Sequence, residues 1–206
     1  DRVHKAIDQI LKLDKKPSEK NIMDFVAGDK EAFKIVSTWV SKRLDKISKK
    51  RENEQPVPAT DERFPHLNIY GKIDLIENLD KDNLRVTDFK TGSVKKKSEI
   101  EKLDEDGRLS NLMRQLTMYS YLLQKNPKWK KDVRESRLEF VEAKTDKESI
   151  YDTVIQLEQI EMLVKDIEDY DRALSTGEWV ERKCNFKPYG NKDQKCEYCE
   201  LSKIYQ

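Results

Sequence analysis

Two neighbouring segments of the chain place carboxylates and a lysine at spacings that suit hydrolysis of a phosphate ester. Turn-favouring residues at 80–83 separate two largely apolar stretches, which predicts a β-hairpin over residues 70–92. The first strand carries Asp74, and the second carries Asp88 and Lys90. Because side chains alternate along a strand, Asp88 and Lys90 are expected to project from the same face.

Two carboxylates on paired strands are the oxygen ligands that a hard divalent ion such as Mg²⁺ or Mn²⁺ prefers. Without a cation, Asp74 and Asp88 would repel each other across the hairpin. The ammonium of Lys90 could offset charge that develops on a phosphate. Together these groups predict phosphodiester hydrolysis. The structural alternatives are hydrogen-bonded buried aspartates and a solvent-facing lysine on an edge strand.

The order of motifs in the chain resembles the RecB-like branch of the PD-(D/E)xK nuclease superfamily. The resemblance rests on Gly71–Asp74, on Asp88–Gly92 with its Asp-Phe-Lys-Thr-Gly, and on Gln115-x-x-x-Tyr119. His4 matches the histidine that this branch carries on an early helix. The resemblance implies an α/β, restriction-endonuclease-like core in which helices flank a mixed β-sheet.

The resemblance also implies roles for individual residues. Asp74, Asp88 and His4 would hold Mg²⁺ or Mn²⁺, joined by the backbone carbonyl of Phe89. Lys90 would orient the attacking water. A lone histidine on an amphipathic helix is more often structural, so the alternative for His4 is a purely structural contact.

Further residues are predicted to contact the substrate. Gln115 and Tyr119 are four apart, so they share a helix face, and the resemblance places that face along the site. For Tyr119, a core position is the alternative. Arg114 is a candidate to clamp a phosphate, and Lys95–Lys97 directly follow the second strand. For Lys95–Lys97, a solvated loop is the alternative.

Three cysteines near the C-terminus suggest a second metal site. Cys184, Cys196 and Cys199 form C-x11-C-x2-C, and two thiolates from one tight turn can reach one ion. Some relatives hold an iron–sulfur cluster there, but the position of their later cysteine is Tyr205 in this chain. The alternatives left open are zinc with a further ligand such as His66, and cysteines that bind no metal.

Composition restricts the class of protein. Charged residues make up 39% of 206 residues, yet the net charge is +1, which argues against a strongly basic, non-specific nucleic-acid binder. No apolar run approaches the ~20 residues of a membrane span, so no membrane partner is expected. An odd number of cysteines favours the reducing cytoplasm. The start at Asp1, close to His4, suggests a fragment of a longer protein.

Hydrophobic periodicity predicts the remaining elements, while the length of the chain and the resemblance together predict a single nuclease domain over 1–206. Its parts are a helical region at 1–50, a catalytic core at 67–155, and a C-terminal helix with a cysteine-containing tail at 156–206. Helices are expected over 2–13, from Ser18, and over 29–48, 109–124 and 156–175, with further strands at 138–141 and 151–154 and a loop at 51–60.

The predicted function is a metal-dependent deoxyribonuclease, with an exonuclease in DNA-end processing for recombination and repair as the expected type. No P-loop sequence is present, so any helicase motor would lie elsewhere in the same or a partner chain. The rival hypothesis is a non-catalytic nuclease-like module that binds nucleic acid or a partner protein. Cleavage of RNA rather than DNA is a third alternative, because the motif contacts phosphate and metal rather than the sugar.

Overall fold

The computed structural model describes residues 2–13, 15–129, 131–177, 195–196 and 199–200. The α-helices are α1 (Arg2–Leu11), α2 (Glu19–Phe25), α3 (Lys30–Arg43), α4 (Lys97–Ile100), α5 (Asn111–Lys125), α6 (Asp146–Ser149) and α7 (Leu157–Thr176). The strands are β1 (Arg51–Ala59), β2 (Ile69–Asn78), β3 (Asn83–Lys90), β4 (Asp132–Phe140) and β5 (Ile150–Thr153). A 3₁₀ turn, Leu44–Lys46, follows α3.

The five strands form one mixed sheet in the order β1-β2-β3-β4-β5. Neighbouring strands are antiparallel except for β3 and β4, which run parallel and are connected through α4 and α5. The predicted hairpin is confirmed as β2 and β3, and Asp80 closes its turn by accepting hydrogen bonds from the backbone of Asp82 and Asn83. The strand that carries Asp88 and Lys90 is therefore central, which removes the interpretation of Lys90 as an edge-strand lysine.

The prediction of a loop at 51–60 was wrong, because this stretch forms the edge strand β1. Pro56 and Pro58 suggested a loop, since proline cannot donate to a strand ladder. An edge strand tolerates proline where the missing N–H would face away from its neighbour. The carbonyl of Pro58 accepts a hydrogen bond from Asn126 rather than from β2, so this side of β1 is the open one. Pro56, two residues earlier, faces the same way.

Helices cover both faces of the sheet, which confirms the predicted α/β architecture. Helices α1, α2 and α3 pack on one face around a core that includes Ile7, Val36 and Trp39. Helix α5 packs on the other face, where Leu122 and Leu123 are fully buried. Contact there is so close that a Cβ atom on Gly71 of β2 would lie 2.6 Å from Leu122 Cδ1.

Ser18, Gly92 and Gly177 mark the ends of elements, whereas the helix expected over 29–48 ends at Arg43 and is followed by the 3₁₀ turn Leu44–Lys46. Ser18 is the N-cap of α2, as predicted, and accepts a hydrogen bond from the Asn21 backbone within a capping box. Gly92 ends the β3 segment with a φ of +91°, and Gly177 follows α7 with a φ of +75°. Both values lie in the region that glycine adopts most readily.

Contacts divide the chain into two units, Asp1–Asp166 and Ile167–Gln206. The first contains the sheet and helices α1–α6. The described part of the second comprises 167–177, where α7 ends, with 195–196 and 199–200. The interpretation of 1–206 as one nuclease domain stays a prediction. None of the described helices is both long and apolar enough to cross a bilayer.

Candidate active site

The candidate site lies where β2 and β3 stop pairing. The two strands pair from Asn78 opposite Leu84 to Leu75 opposite Thr87, and the next positions are Asp74 and Asp88. Beyond that point the Phe89 N–H donates to Asp74 Oδ2, at 2.9 Å, instead of to a backbone carbonyl of β2. The strands thus diverge with one carboxylate on each.

Asp74 also lies at a break in the alternation of β2. Ile73 packs in the core beneath α5, whereas Leu75 packs in the core beneath α1–α3. Residues two apart in a regular strand would share a face. Directly across from Asp74, Glu54 of β1 has a φ of +51°, a conformation rare for a residue with a side chain. The distortion of both strands turns the Asp74 carboxylate toward the opening between β2 and β3.

The side chains predicted from β3 and α5 form one hydrogen-bonded cluster. Asp88 Oδ1 accepts hydrogen bonds from Gln115 Nε2 at 2.7 Å and from the Tyr119 hydroxyl at 3.0 Å. Lys90 Nζ donates to Gln115 Oε1 at 2.6 Å and lies 2.7 Å from Asp88 Oδ2. The side-chain amide of Gln115 therefore connects the two groups, because its nitrogen donates to the Asp88 carboxylate and its oxygen accepts from the Lys90 ammonium. Helical spacing of four residues puts Gln115 and Tyr119 on the face that meets β3.

His4 reaches the same place from the other face of the sheet. Its Nε2 lies 2.6 Å from the carbonyl oxygen of Phe89 and donates a hydrogen bond to it in the tautomer protonated at Nε2; as a metal ligand this nitrogen would carry no proton. Two neighbouring ligands of an octahedral ion with ~2.1 Å bonds lie ~3 Å apart, so this separation is close to what shared coordination requires. The Phe89 ring is fixed by an edge contact with Trp39, with ring centroids 5.7 Å apart.

Burial and mutual repulsion perturb the titration of the site. Burial is the main cause that raises the pKa of Asp74 to about 6, and the negative charge of Asp88 is the second. The hydrogen bond from the Phe89 N–H acts in the opposite direction and lowers this pKa. Burial and the same two carboxylates raise the pKa of Tyr119 well above its usual range. The Tyr119 phenol therefore stays protonated and serves as a hydrogen-bond donor, not as a base.

The residues present fit a hard divalent ion. Asp88 Oδ2 is buried and accepts no well-directed hydrogen bond from the described part of the chain, although Lys90 lies within ion-pair distance. Two carboxylates, a backbone carbonyl and an imidazole form a donor set suited to Mn²⁺ and, through the oxygens, to Mg²⁺. Within the described ranges, no three acidic, histidine or cysteine side chains are already gathered at ligand spacing. His4, Asp74 and Asp88 would have to close around an ion.

The residues predicted to contact phosphate lie after β3 and on α5. Lys95–Lys97 follow β3 and lead into α4, and all three are exposed. Arg114 precedes Gln115 on α5, but its Nη2 donates to the Leu109 carbonyl at 3.1 Å and its Nε lies 3.3 Å from Asp166. The role of these four residues in binding nucleic acid stays a prediction.

The predicted cysteine site falls largely outside the described residues. Cys184 is not among them, while Cys196 and Cys199 lie in a short stretch where the Glu200 N–H donates to the Cys196 carbonyl. His66 lies in the connection between β1 and β2. Zinc, an iron–sulfur cluster and cysteines without metal remain the alternatives set by the sequence.

Two features near the site had no counterpart in the sequence interpretation. Glu54 faces Asp74 and pairs with Lys72, but Pro56 and Pro58 had marked its strand as a loop. Glu139, buried on β4, accepts a 2.7 Å hydrogen bond from Trp39 Nε1 and so supports the packing on Phe89. No local pattern connects residues one hundred positions apart.

A protein-family model described as the PD-(D/E)XK nuclease superfamily matches residues 1–204. The mixed sheet with helices on both faces is the α/β, restriction-endonuclease-like fold expected of such a chain. None of the curated proteins compared with the sequence matches it.

Proposed function

Because the chain belongs to the PD-(D/E)XK nuclease superfamily, we propose that it is a metal-dependent deoxyribonuclease of the RecB-like branch. The observation that carries the proposal is the cluster of Asp88, Lys90 and Gln115 beside Asp74, at the divergence of two strands. A merely structural pair of aspartates would have no need of a lysine and an amide held against one of them.

Asp74, Asp88 and the Phe89 carbonyl are the residues we assign to the metal, with His4 as a further ligand. A divalent ion there would promote ionisation of water and neutralise charge on the phosphodiester. Lys90 would orient the attacking water and offset charge on the phosphate as it forms. Gln115 would keep the Lys90 ammonium at its position, and Tyr119 would hold Asp88 by donating a hydrogen bond.

The biological setting that we propose is DNA-end processing in recombination and repair, by exonucleolytic cleavage in the cytoplasm. A helicase motor in the same or a partner chain would supply unwound DNA. Lys95–Lys97 and Arg114 are proposed to contact the phosphate backbone. The support for this setting is the resemblance of the motifs at His4, Asp74, Asp88–Gly92 and Gln115 to the RecB-like branch.

The test is cleavage of matched linear and circular DNA, single- and double-stranded, with Mg²⁺, Mn²⁺ or EDTA. Asp88→Ala should abolish cleavage, whereas Asp45→Ala, at a side chain 80% exposed, should leave it unchanged. Resistance of the circular substrates would identify an exonuclease. If well-folded protein cleaves no substrate with either metal, the proposal is wrong and a binding module takes its place.

A further inference from the structure

A groove opens beside the candidate site at the carboxyl ends of the parallel strands β3 and β4. It begins at Gly92, two residues after Lys90, and its floor includes Phe140, the register partner of Lys90. In α/β proteins, ligands bind at the carboxyl ends of parallel strands. The groove holds about 780 Å³, within the ~300–1,000 Å³ of pockets that enclose drug-sized ligands.

Lysines line both sides of the groove. Lys95–Lys97 form one wall, and Lys144 and Lys147, from the connection after β4, form the other. Lys95 pairs loosely with Glu99 of α4, at 3.9 Å, and Lys97 with Glu101, directly after α4, at 3.6 Å. In the part of the chain that the structure describes, Lys96, Lys144 and Lys147 make no ion pair.

The two acidic residues of the groove already have partners. Glu142 Oε1 accepts a hydrogen bond from the Gly92 N–H at 2.7 Å, and Glu148 Oε2 accepts one from Thr145 at 3.0 Å. These hydrogen bonds help to fix the segments that form the walls of the groove. The lysines outnumber them, so the groove has an excess of positive charge that suits a polyanion.

The floor of the groove is apolar, which separates it from a simple basic patch. Val94 and Ile150 are partly exposed, and Phe140 and Tyr151 are buried behind them. Tyr151 is fixed because its hydroxyl donates to Glu101 at 2.8 Å. A ligand in the groove would thus meet apolar surface below and ammonium groups at both rims.

We propose that this groove binds a single nucleic-acid strand next to the cleavage site, with bases on the apolar floor and phosphates between the lysine walls. Unpaired bases expose an apolar face that stacks or packs against such a floor. A duplex would turn its phosphates to the floor, where burial of charge is costly. This proposal depends on the proposed function in one respect only, namely that the neighbouring site is a nuclease site.

Binding is measured separately from cleavage, by fluorescence anisotropy in EDTA. The probes are a fluorescein-labelled oligothymidine of ~16 nucleotides, within the usual site sizes of single-strand binders, and a duplex of equal length. The test variant is Lys144→Ala/Lys147→Ala. The control variant is Lys20→Ala/Lys34→Ala, which removes the same charge from exposed positions on α2 and α3 that do not line the groove.

The groove variant should bind the oligothymidine roughly tenfold more weakly at ~0.1 M salt, and the slope of log K against log salt should fall by about 1.4. The control variant should bind like the unaltered protein. Equal binding by the two variants, or a duplex bound as tightly as the single strand, would overturn the proposal. A groove effect in a protein that cleaves nothing would leave the groove established and the nuclease activity refuted.

Discussion

Asp74 and Asp88 occupy the first position at which β2 and β3 no longer pair, one carboxylate on each strand. Divergence of the strands replaces a ladder hydrogen bond with one from the Phe89 N–H to Asp74 Oδ2. The backbone around Phe89 thereby serves both the fold and the site, because its N–H fixes one carboxylate while its carbonyl turns toward His4. The site is thus built into a break in the sheet and not attached to a loop.

Asp74 should make the metal-free protein lose stability as the pH rises. Its pKa in the folded protein, about 6, lies above the ordinary value of 3.8, so the folded state holds the proton more tightly than the unfolded chain. The resulting stabilisation is full below about pH 4 and is lost as the pH rises through 6; it is on the order of 3 kcal/mol.

Urea unfolding in EDTA between pH 4 and pH 8 measures this effect. Asp74→Asn cannot ionise and keeps an acceptor for the Phe89 N–H, so at pH 8 it should be more stable than the unaltered protein, with the difference shrinking at pH 4. Asp45→Asn, at an exposed position, should show no such trend. A variant at position 74 that is no more stable at pH 8 would contradict the prediction.

Replacement of Lys90 should impair catalysis without weakening metal binding. Lys90→Met removes a cation 2.7 Å from Asp88 Oδ2, so Mn²⁺ affinity measured by calorimetry should be unchanged or tighter. DNA cleavage should fall by ~10²–10³-fold, as for loss of a transition-state stabilising group. Lys128→Met, at an exposed lysine, is the control. Near-normal cleavage by Lys90→Met would exclude a role for the ammonium in the reaction.

Loss of the Gln115 side-chain amide should slow cleavage more than loss of the Tyr119 hydroxyl. Tyr119→Phe removes one hydrogen bond to the Asp88 carboxylate. Bonds to charged groups contribute ~1.5–3 kcal/mol each, so single-turnover cleavage should slow by ~10–150-fold. Gln115→Leu removes bonds to both Lys90 and Asp88, so a loss of ~150-fold or more is expected.

The pH dependence of cleavage by Tyr119→Phe provides a further check. The raised pKa of Tyr119 keeps its phenol protonated across the accessible pH range, so Tyr119→Phe should leave the alkaline side of the rate profile unchanged. A shifted alkaline limb in this variant would show that the phenol titrates during the reaction.

The sequence was sufficient for those parts of the site that depend on local spacing. Asp88 and Lys90 are two apart on a strand, Gln115 and Tyr119 are four apart on a helix, and the turn residues at 80–83 fixed the hairpin. Each of these patterns depends on the geometry of one element. The structure brings all four side chains into one cluster; spacing predicts that each pair shares a face, whereas the meeting of the two faces was expected only from the resemblance.

Other features depended on tertiary context. The strand β1 was missed because proline opposes a strand unless the edge is open, and only the sheet order shows that it is. The break in alternation at Asp74 reflects its distorted neighbour Glu54 on another strand. The contact of Trp39 with Glu139 joins distant parts of the chain, so no periodicity could indicate it.

Glu139 should be essential for stability, because it holds Arg43 and Trp39 beside the site without being assigned a part in the reaction. It is 1% exposed and accepts hydrogen bonds from Arg43 and Trp39. Glu139→Gln would leave the buried Arg43 guanidinium without a counter-charge, at a cost of ~3–5 kcal/mol in the free energy of unfolding. Urea unfolding followed by tryptophan fluorescence measures this loss, with Glu135→Gln, at a partly exposed position of the same strand, as the milder control.

The double variant Arg43→Leu/Glu139→Leu decides whether the cost comes from the unpaired charge or from the lost contact. Replacing both members of a buried ion pair by apolar residues is often near neutral, so the double variant should be more stable than Glu139→Gln. Trp39 would keep an acceptor in Glu139→Gln, because the glutamine amide oxygen can take the place of the carboxylate oxygen, but it would lose its acceptor in the double variant, where its edge contact with Phe89 should loosen. A double variant less stable than Glu139→Gln would instead mean that the contact to Trp39, more than the compensation of charge, stabilises this region.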